Sequence, residues 1–275
     1  MKWLHFILSH SIFVSICAVA LAFQTGQLLH VSIDIYVFGF IFFATLCSYN
    51  FYWIISRFAF ASQRVALFLQ KEITGLLLLV ISAAGMLTCY LPSGIPLVHV
   101  VAAVLLTLLY AIPLLPVPAL HFTRKAGVVK TTLLAFTWAY VTAFLPLQKE
   151  WPALDAADVF ILTRRFLFML MLCIIFDNRD KAVDKIRGLH SLATVLKPGQ
   201  LQLLIAAIFI VLFGTNFLSV SYGISFPQSI ALQTSTIALL VTYFFSTRQQ
   251  GYLFYYFGVD GLMLFSALAT FIAGI

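Results

Sequence analysis

Apolar runs long enough to cross a bilayer recur along the whole chain, and this constrains its fold more than any other feature. Several exceed the ~18 residues that mark a membrane span. Inside lipid every backbone polar group must be satisfied within the structure, which leaves helices and closed barrels. A barrel would show ~10-residue segments of alternating polarity, and the runs here do not alternate. Hydrophobic residues make up 63% of the chain and charged residues 9%, against about 25% charged in a soluble domain. Too few charges remain to coat a globule in water. The pattern predicts an all-α, polytopic membrane protein with nine transmembrane helices, as one domain over residues 1–275.

The expected spans are 3–24, 34–57, 73–91, 95–116, 130–147, 157–176, 200–218, 227–246 and 252–273. The basic residues orient them. Lys2, Arg57, Arg64, Lys71, Arg124, Lys125, Lys130, Arg179, Lys181, Lys185, Arg187, Lys197 and Arg248 all fall on one side under this assignment. Lys149 is alone in an opposite-side loop, and Arg164 and Arg165 fall inside span six. The positive-inside rule makes the crowded side cytoplasmic, with the N-terminus inside and the C-terminus outside. The expected location is the inner (plasma) membrane of a bacterium. The net charge of +7 follows from this topology and calls for no nucleic-acid partner. Lys2, the first apolar run and Ala18-Val19-Ala20 also fit a cleaved signal peptide, but the run is longer than the usual 7–15-residue signal core. A retained first helix is the expectation.

Cys17, Cys47, Cys89 and Cys173 all fall in spans, with neither metal-ligand spacing nor a disulfide pattern. The histidines are scattered. No phosphate-binding glycine loop or serine-nucleophile elbow is present.

The most informative stretch is Phe176-Asp177-Asn178-Arg179-Asp180-Lys181-Ala182-Val183-Asp184-Lys185-Ile186-Arg187-Gly188. It holds three of the nine acidic residues. If span six continues through it as helix, 100° per residue puts Asp177, Asp180 and Asp184 within about 60° of one another. Three carboxylates on one face want a cation, and oxygen-only ligands suit Mg²⁺, which typically takes one or two carboxylates plus substrate phosphates. The plainer alternative is a solvated loop of alternating charge, with the aspartates paired to Arg179, Lys181, Lys185 and Arg187.

The pattern Asp177-x-x-Asp180-x-x-x-Asp184-x-x-x-Gly188, followed by Ser191-Leu192-Ala193-Thr194, resembles the second aspartate-rich motif of the UbiA superfamily of intramembrane prenyltransferases, in the form of its naphthoquinone branch. That family has nine transmembrane helices. The resemblance implies transfer of an isoprenoid group from a prenyl diphosphate to a lipophilic, aromatic or quinone-precursor acceptor. It also implies Mg²⁺ held by Asp177, Asp180 and Asp184. The family's first motif, Asn-x-x-x-Asp-x-x-x-Asp, is degenerate here: Asn50 is present, but Ile54 and Phe58 occupy the aspartate positions. Arg57, on the face of Asn50, offers a guanidinium that binds phosphate without a metal. Arg124 and Lys125 match a basic pair that contributes to diphosphate binding in the family, and Lys130 lies close by. Tyr49, Tyr52 and Trp53 are the expected cavity aromatics.

Arg164, Arg165 and Asp260 are intramembrane charges, which are usually paired or cavity-facing. Pairing of either arginine with Asp260 is one solution and cavity lining another. Three functions follow in order: a prenyltransferase, a catalytically inactive relative that binds an isoprenoid lipid, and a transporter. The absence of paired broken helices and of an inverted repeat speaks against the last.

Overall fold

A computed structural model describes residues 2–59, 72–111, 127–187 and 190–275, with the backbone alone for Lys2, residues 57–59 and Arg187. Among these residues every regular element is a helix. In chain order they are α1 (Lys2–Ser9), α2 (Ile12–Leu28), α3 (Ile35–Ala59), α4 (Ile73–Ser93), α5 (Leu97–Ala111), α6 (Gly127–Ala139), α7 (Ala156–Arg187), α8 (Leu192–Val195), α9 (Pro198–Leu218), α10 (Phe226–Ser246) and α11 (Asp260–Ile272). A π-helical turn, Tyr140–Phe144, extends α6, and another, Phe254–Val259, leads into α11.

Each expected span meets a helix. Seven helices are long and apolar enough to cross a membrane, and α1 with α2 makes an eighth if that bent pair is one span. The ninth region is α5, with 15 residues; the rest of its expected span, 112–116, lies outside the described residues. Nine is therefore the expected count and seven to eight the number that length and composition support. The first span is not straight. Trp3–Ser9 and Ile12–Leu28 meet at 66°, where Ser11 adopts φ 63°, a left-handed conformation that ends a right-handed helix.

The outward faces are apolar. Val80 is 67% exposed, Leu203 72% and Phe217 68%, which is the arrangement of a surface solvated by lipid tails rather than water. The interior is built around α7, where Phe168, Met171, Ile174 and Ile175 are all buried. Without a hydrophobic drive between helices in lipid, close approach depends on small residues. A methyl group on Gly39 would meet Cys89 Sγ at 2.7 Å, and one on Gly85 would meet the Phe43 ring at 2.6 Å, so these glycines set how closely α3 and α4 pack.

Buried polar groups join the spans. Thr25 Oγ1 donates to the Thr142 carbonyl at 2.9 Å, within the π-turn of α6. Gln24 Nε2 donates to Ser266 Oγ at 3.0 Å and Thr270 Oγ1 at 3.1 Å on α11. At the end opposite the aspartates, Lys149 Nζ donates to Asp158 Oδ2 at 2.6 Å, and this bond raises the lysine above its ordinary value. Asp155 accepts from the Asp158 amide at 2.8 Å, which holds its carboxyl below the usual range and caps the start of α7.

Candidate functional site

The site is carried by the far end of α7. That helix runs unbroken from the apolar span to Arg187, so the three aspartates share one helix as the periodicity requires. They do not share one environment. Asp177 is half-buried, and its Oδ2 accepts from Thr131 Oγ1 at 2.6 Å and from the Leu192 amide at 3.2 Å. Both bonds fall on one oxygen, and among the described residues no hydrogen bond reaches Oδ1. The Leu192 amide belongs to the first residue of α8, so Asp177 ties α6, α7 and α8 together. Gly127 makes this possible: a methyl group there would meet the His190 carbonyl carbon at 2.5 Å and the Ser191 nitrogen at 2.6 Å.

Asp180 is turned to its neighbour. Arg179 Nε and Nη2 donate to its two oxygens at 2.7 Å each. Asp184 is buried, 8% exposed. Among the described residues no three acidic, histidine or cysteine side chains converge as a ready-made metal cage. The donor set still suits Mg²⁺ completed by phosphate oxygens: oxygen-only ligands, one of them Oδ1 of Asp177, which no hydrogen bond reaches among the described residues, and a half-exposed Asp180.

Lys130 links these carboxylates to an apolar cavity. It lies in the electrostatic field of Asp184, Asp177 and Asp180, and its Nζ sits 5.7 Å from the centroid of Tyr110. Tyr110 stacks on Tyr52 with centroids 5.0 Å apart. Both rings line a cavity of about 310 Å³ among α3, α4, α5 and α6, with Ala44, Tyr49, Ala103 and Trp138 among its walls. Its lining is aliphatic, aromatic and neutral polar, with no charged side chain; Lys130 approaches it through the Tyr110 ring.

Of the residues singled out in the sequence, the structure brings Asp177, Asp180, Asp184 and Lys130 into one neighbourhood. Asn50 is buried, but its Nδ2 is spent on the Leu46 carbonyl at 2.8 Å and the His10 carbonyl at 3.4 Å, where it steadies the bend between α1 and α2. Tyr49 and Tyr52 line the cavity, whereas Trp53 does not and is 45% exposed. Ile54 faces α4, the Gly75 position lying 3.9 Å from its Cγ1 when a methyl group is placed there. Arg57 is on α3, but its side chain lies outside the described residues, as does that of Phe58. Arg124 and Lys125 lie wholly outside them.

Pairing of Arg164 or Arg165 with Asp260 does not occur. Arg164 Nε donates to Asn216 Oδ1 at 2.7 Å. Arg165 Nη2 donates to Gln24 Oε1 at 2.9 Å and the Leu21 carbonyl at 3.0 Å. Both guanidiniums are buried among neutral acceptors. Asp260 instead lies in the field of Arg179. The residues that sequence reasoning missed are Thr131 and Tyr110. Thr131 and Tyr110 carry no sequence signal, because neutral residues in apolar helices are indistinguishable from packing. Arg179 reads in the sequence as topology charge and as a candidate partner of the aspartates in a solvated loop; it does pair with Asp180, but on a helix, and its enclosure by rings left no trace in the sequence.

No family model matches the chain, and no curated protein does. Among solved structures, the apo structure of a UbiA homolog from Aeropyrum pernix K1 superposes with a TM-score of 0.58 over 95% of this chain and 97% of that one, at 12% identity. The chain has a UbiA-type fold. At that identity the likeness is one of architecture, and it covers both chains nearly end to end. The UbiA-type bundle makes the chain an integral membrane protein, in keeping with its apolar helices.

Proposed function

We propose that the chain is a member of the UbiA superfamily that transfers an isoprenoid group from a prenyl diphosphate to a lipophilic acceptor within the membrane. The observation that carries this reading is an apolar cavity whose wall residue Tyr110 lies beside Lys130, which in turn lies in the field of the aspartates. An isoprenoid tail fits the walls formed by Ala44, Ala103 and Trp138, and a diphosphate fits between Lys130 and the aspartates. In the reaction the allylic carbon–oxygen bond breaks, diphosphate leaves, a carbon–carbon bond forms on the acceptor, and the acceptor loses a proton.

The chain's own residues supply positioning and electrostatics. The Lys130 ammonium faces the charge that develops on the leaving diphosphate. Asp177, anchored through Oδ2, offers Oδ1, and Asp184 offers a second carboxylate. Mg²⁺ bound there would neutralise the leaving group as a Lewis acid. Arg57, Arg124 and Lys125 are proposed to complete the anion site. The rings of Tyr49, Tyr52, Tyr110 and Trp138 give a developing allylic cation aromatic faces and keep water out. The proposed setting is the inner membrane of a bacterium, with the basic end cytoplasmic and the N-terminus inside.

A second reading is a catalytically inactive relative that binds an isoprenoid lipid. The orientation of Ile54 toward α4 favours it, since that position brings no carboxylate to the site. The test incubates purified protein with Mg²⁺, a series of prenyl diphosphates and aromatic acceptors, and reads diphosphate release. Release that depends on both Mg²⁺ and acceptor supports the transferase. Tight isoprenoid binding with no release from any pair would replace it with the second reading.

A further inference from the structure

Arg179 occupies a position that the proposed reaction does not explain. Its guanidinium is boxed by three rings: the Phe176 centroid lies at 4.9 Å, Tyr255 at 5.2 Å and Tyr256 at 5.1 Å. Phe176 precedes it on α7, and the two tyrosines come from the π-helical turn before α11. Single π-turns inside helices recur at functional sites. A cation enclosed by rings is held in place, but the partner of its N–H edges can change. Two of those edges fork Asp180. The third, Nη1, is buried with no hydrogen-bond partner among the described residues, a state that costs free energy.

A second carboxylate stands nearby. Asp260 is four residues beyond Tyr256, one helical turn on and on the same face. It is half-buried, and among the described residues no hydrogen bond reaches its carboxylate. It lies in the electrostatic field of Arg179. A charge this deep is costly unless paired, and Arg179 has an edge to spare.

We propose that Arg179 is a positioning residue with two carboxylate partners. In the free protein it forks Asp180. When a divalent cation and diphosphate draw Asp180 toward Asp177 and Asp184, the caged guanidinium turns its free edge to Asp260. The arginine stays paired in both states, so freeing Asp180 does not strand a buried charge. Asp260 thereby sets how readily the acidic end accepts metal, without touching metal or substrate. The exchange rests on the metal-assisted reading above.

The test uses the full chain in detergent, with Mn²⁺ as the probe. Free Mn²⁺ is followed by electron paramagnetic resonance in the presence of inorganic diphosphate, and melting temperatures are recorded alongside. Asp260→Asn is expected to weaken Mn²⁺ binding about fivefold or more, the lower end of energetic coupling between sites. Arg179→Gln frees Asp180 outright and is expected to bind at least as tightly as the parent. The double variant is expected to behave like Arg179→Gln, and Asp260→Glu to restore parental affinity. A lowered melting temperature with unchanged Mn²⁺ affinity in Asp260→Asn would overturn the exchange, as would an equal loss with and without Arg179. Should Asp260→Asn fail to fold, Arg179→Lys reads the same exchange: an ammonium cannot fork two oxygens, so binding should tighten, and unchanged or weaker binding overturns the proposal. No saturable Mn²⁺ binding in the parent would sink the metal reading and the exchange together. Saturable binding without coupling sinks the exchange alone.

Discussion

The Thr131 hydroxyl donates to Asp177 Oδ2 at 2.6 Å, joining α6 to the acidic end of α7. The same carboxylate oxygen accepts the Leu192 amide, so one atom fixes the mutual position of three helices. Thr131→Val keeps the shape and removes the donor. Side-chain hydrogen bonds within membrane proteins average about 0.6 kcal/mol and reach about 1.7, and an ionised acceptor puts this one at the upper end. A loss of about 1 kcal/mol in detergent unfolding is expected. Diphosphate release should fall further than stability, because Asp177 Oδ1 loses its orientation. Thr131→Ser should retain both. Parental turnover in Thr131→Val would show that Asp177 needs no orienting donor.

Gly127 tests the same junction through the backbone. The atoms a methyl group would meet at 2.5 and 2.6 Å belong to the main chain of His190 and Ser191, and main chain cannot rotate aside. Gly127→Ala should push the segment before α8 away from α6 and lengthen the Leu192 bond to Asp177. Overpacking of this kind typically costs about 1–3 kcal/mol, and at the first residue of α6 the helix-interior gain from alanine does not offset it. A melting temperature at or above the parent's would refute the close approach.

These two residues show where the sequence stops being informative. The apolar runs were enough to place a helix in every expected span, because nothing but a helix hides its backbone in lipid; the short α8, between spans, was not foreseen. The expected span ends at 176, with helix through the acidic segment one alternative and a solvated loop the other. In the structure α7 continues through it to Arg187, as the aspartate spacings of three and four allow. The bend at Ser11 left no trace, since serine in an apolar run reads as helix whichever way its backbone turns. The charge pattern allowed Asp180 to pair with its neighbour Arg179, but it does not reveal that Asp177 faces Thr131: periodicity assigns a face of the helix, and that partner comes from another helix. Asn50 was legible as a motif position, yet its amide serves the bend between α1 and α2. Pairing of the span-six arginines with Asp260 failed for a similar reason. Depth in the membrane was readable from residue count, but the direction around the bundle was not, and Asn216 and Gln24 were nearer.

The arrangement around Arg164 makes a prediction about asymmetry. Its guanidinium relies on Asn216 Oδ1 at 2.7 Å and the Leu232 carbonyl at 3.3 Å. Asn216 is held in turn, donating to Gln233 Oε1 at 2.6 Å and Thr236 Oγ1 at 3.1 Å. Asn216→Leu leaves a buried charge short of its best acceptor and should cost about 2–3 kcal/mol, the penalty of stranding a charged donor. Arg164→Met removes the charge and should cost less, since replacing a buried charge by a hydrophobic group of similar volume is often neutral. The double variant should be more stable than Asn216→Leu alone. Additive losses in unfolding experiments would mean that the two residues do not depend on each other.

The cavity makes the sharpest separation between tail and headgroup. Ala44 and Ala103 line it from α3 and α5, whereas Lys130 stands beside its wall at Tyr110, toward the aspartates. Ala103→Phe places a ring in space that an isoprenoid would otherwise fill. Each methylene excluded from burial forfeits about 0.8 kcal/mol, so losing two of them already weakens binding about tenfold. Binding of a prenyl diphosphate should fall by at least that factor, while inorganic diphosphate should bind as before. Because the ring enters existing space, the fold should be barely affected, which a melting curve would check. If prenyl and inorganic diphosphate weaken together, the substitution has disturbed the charged residues. If neither weakens, the tail lies elsewhere, along the lipid-facing side of α4 and α5, and the cavity does not receive it.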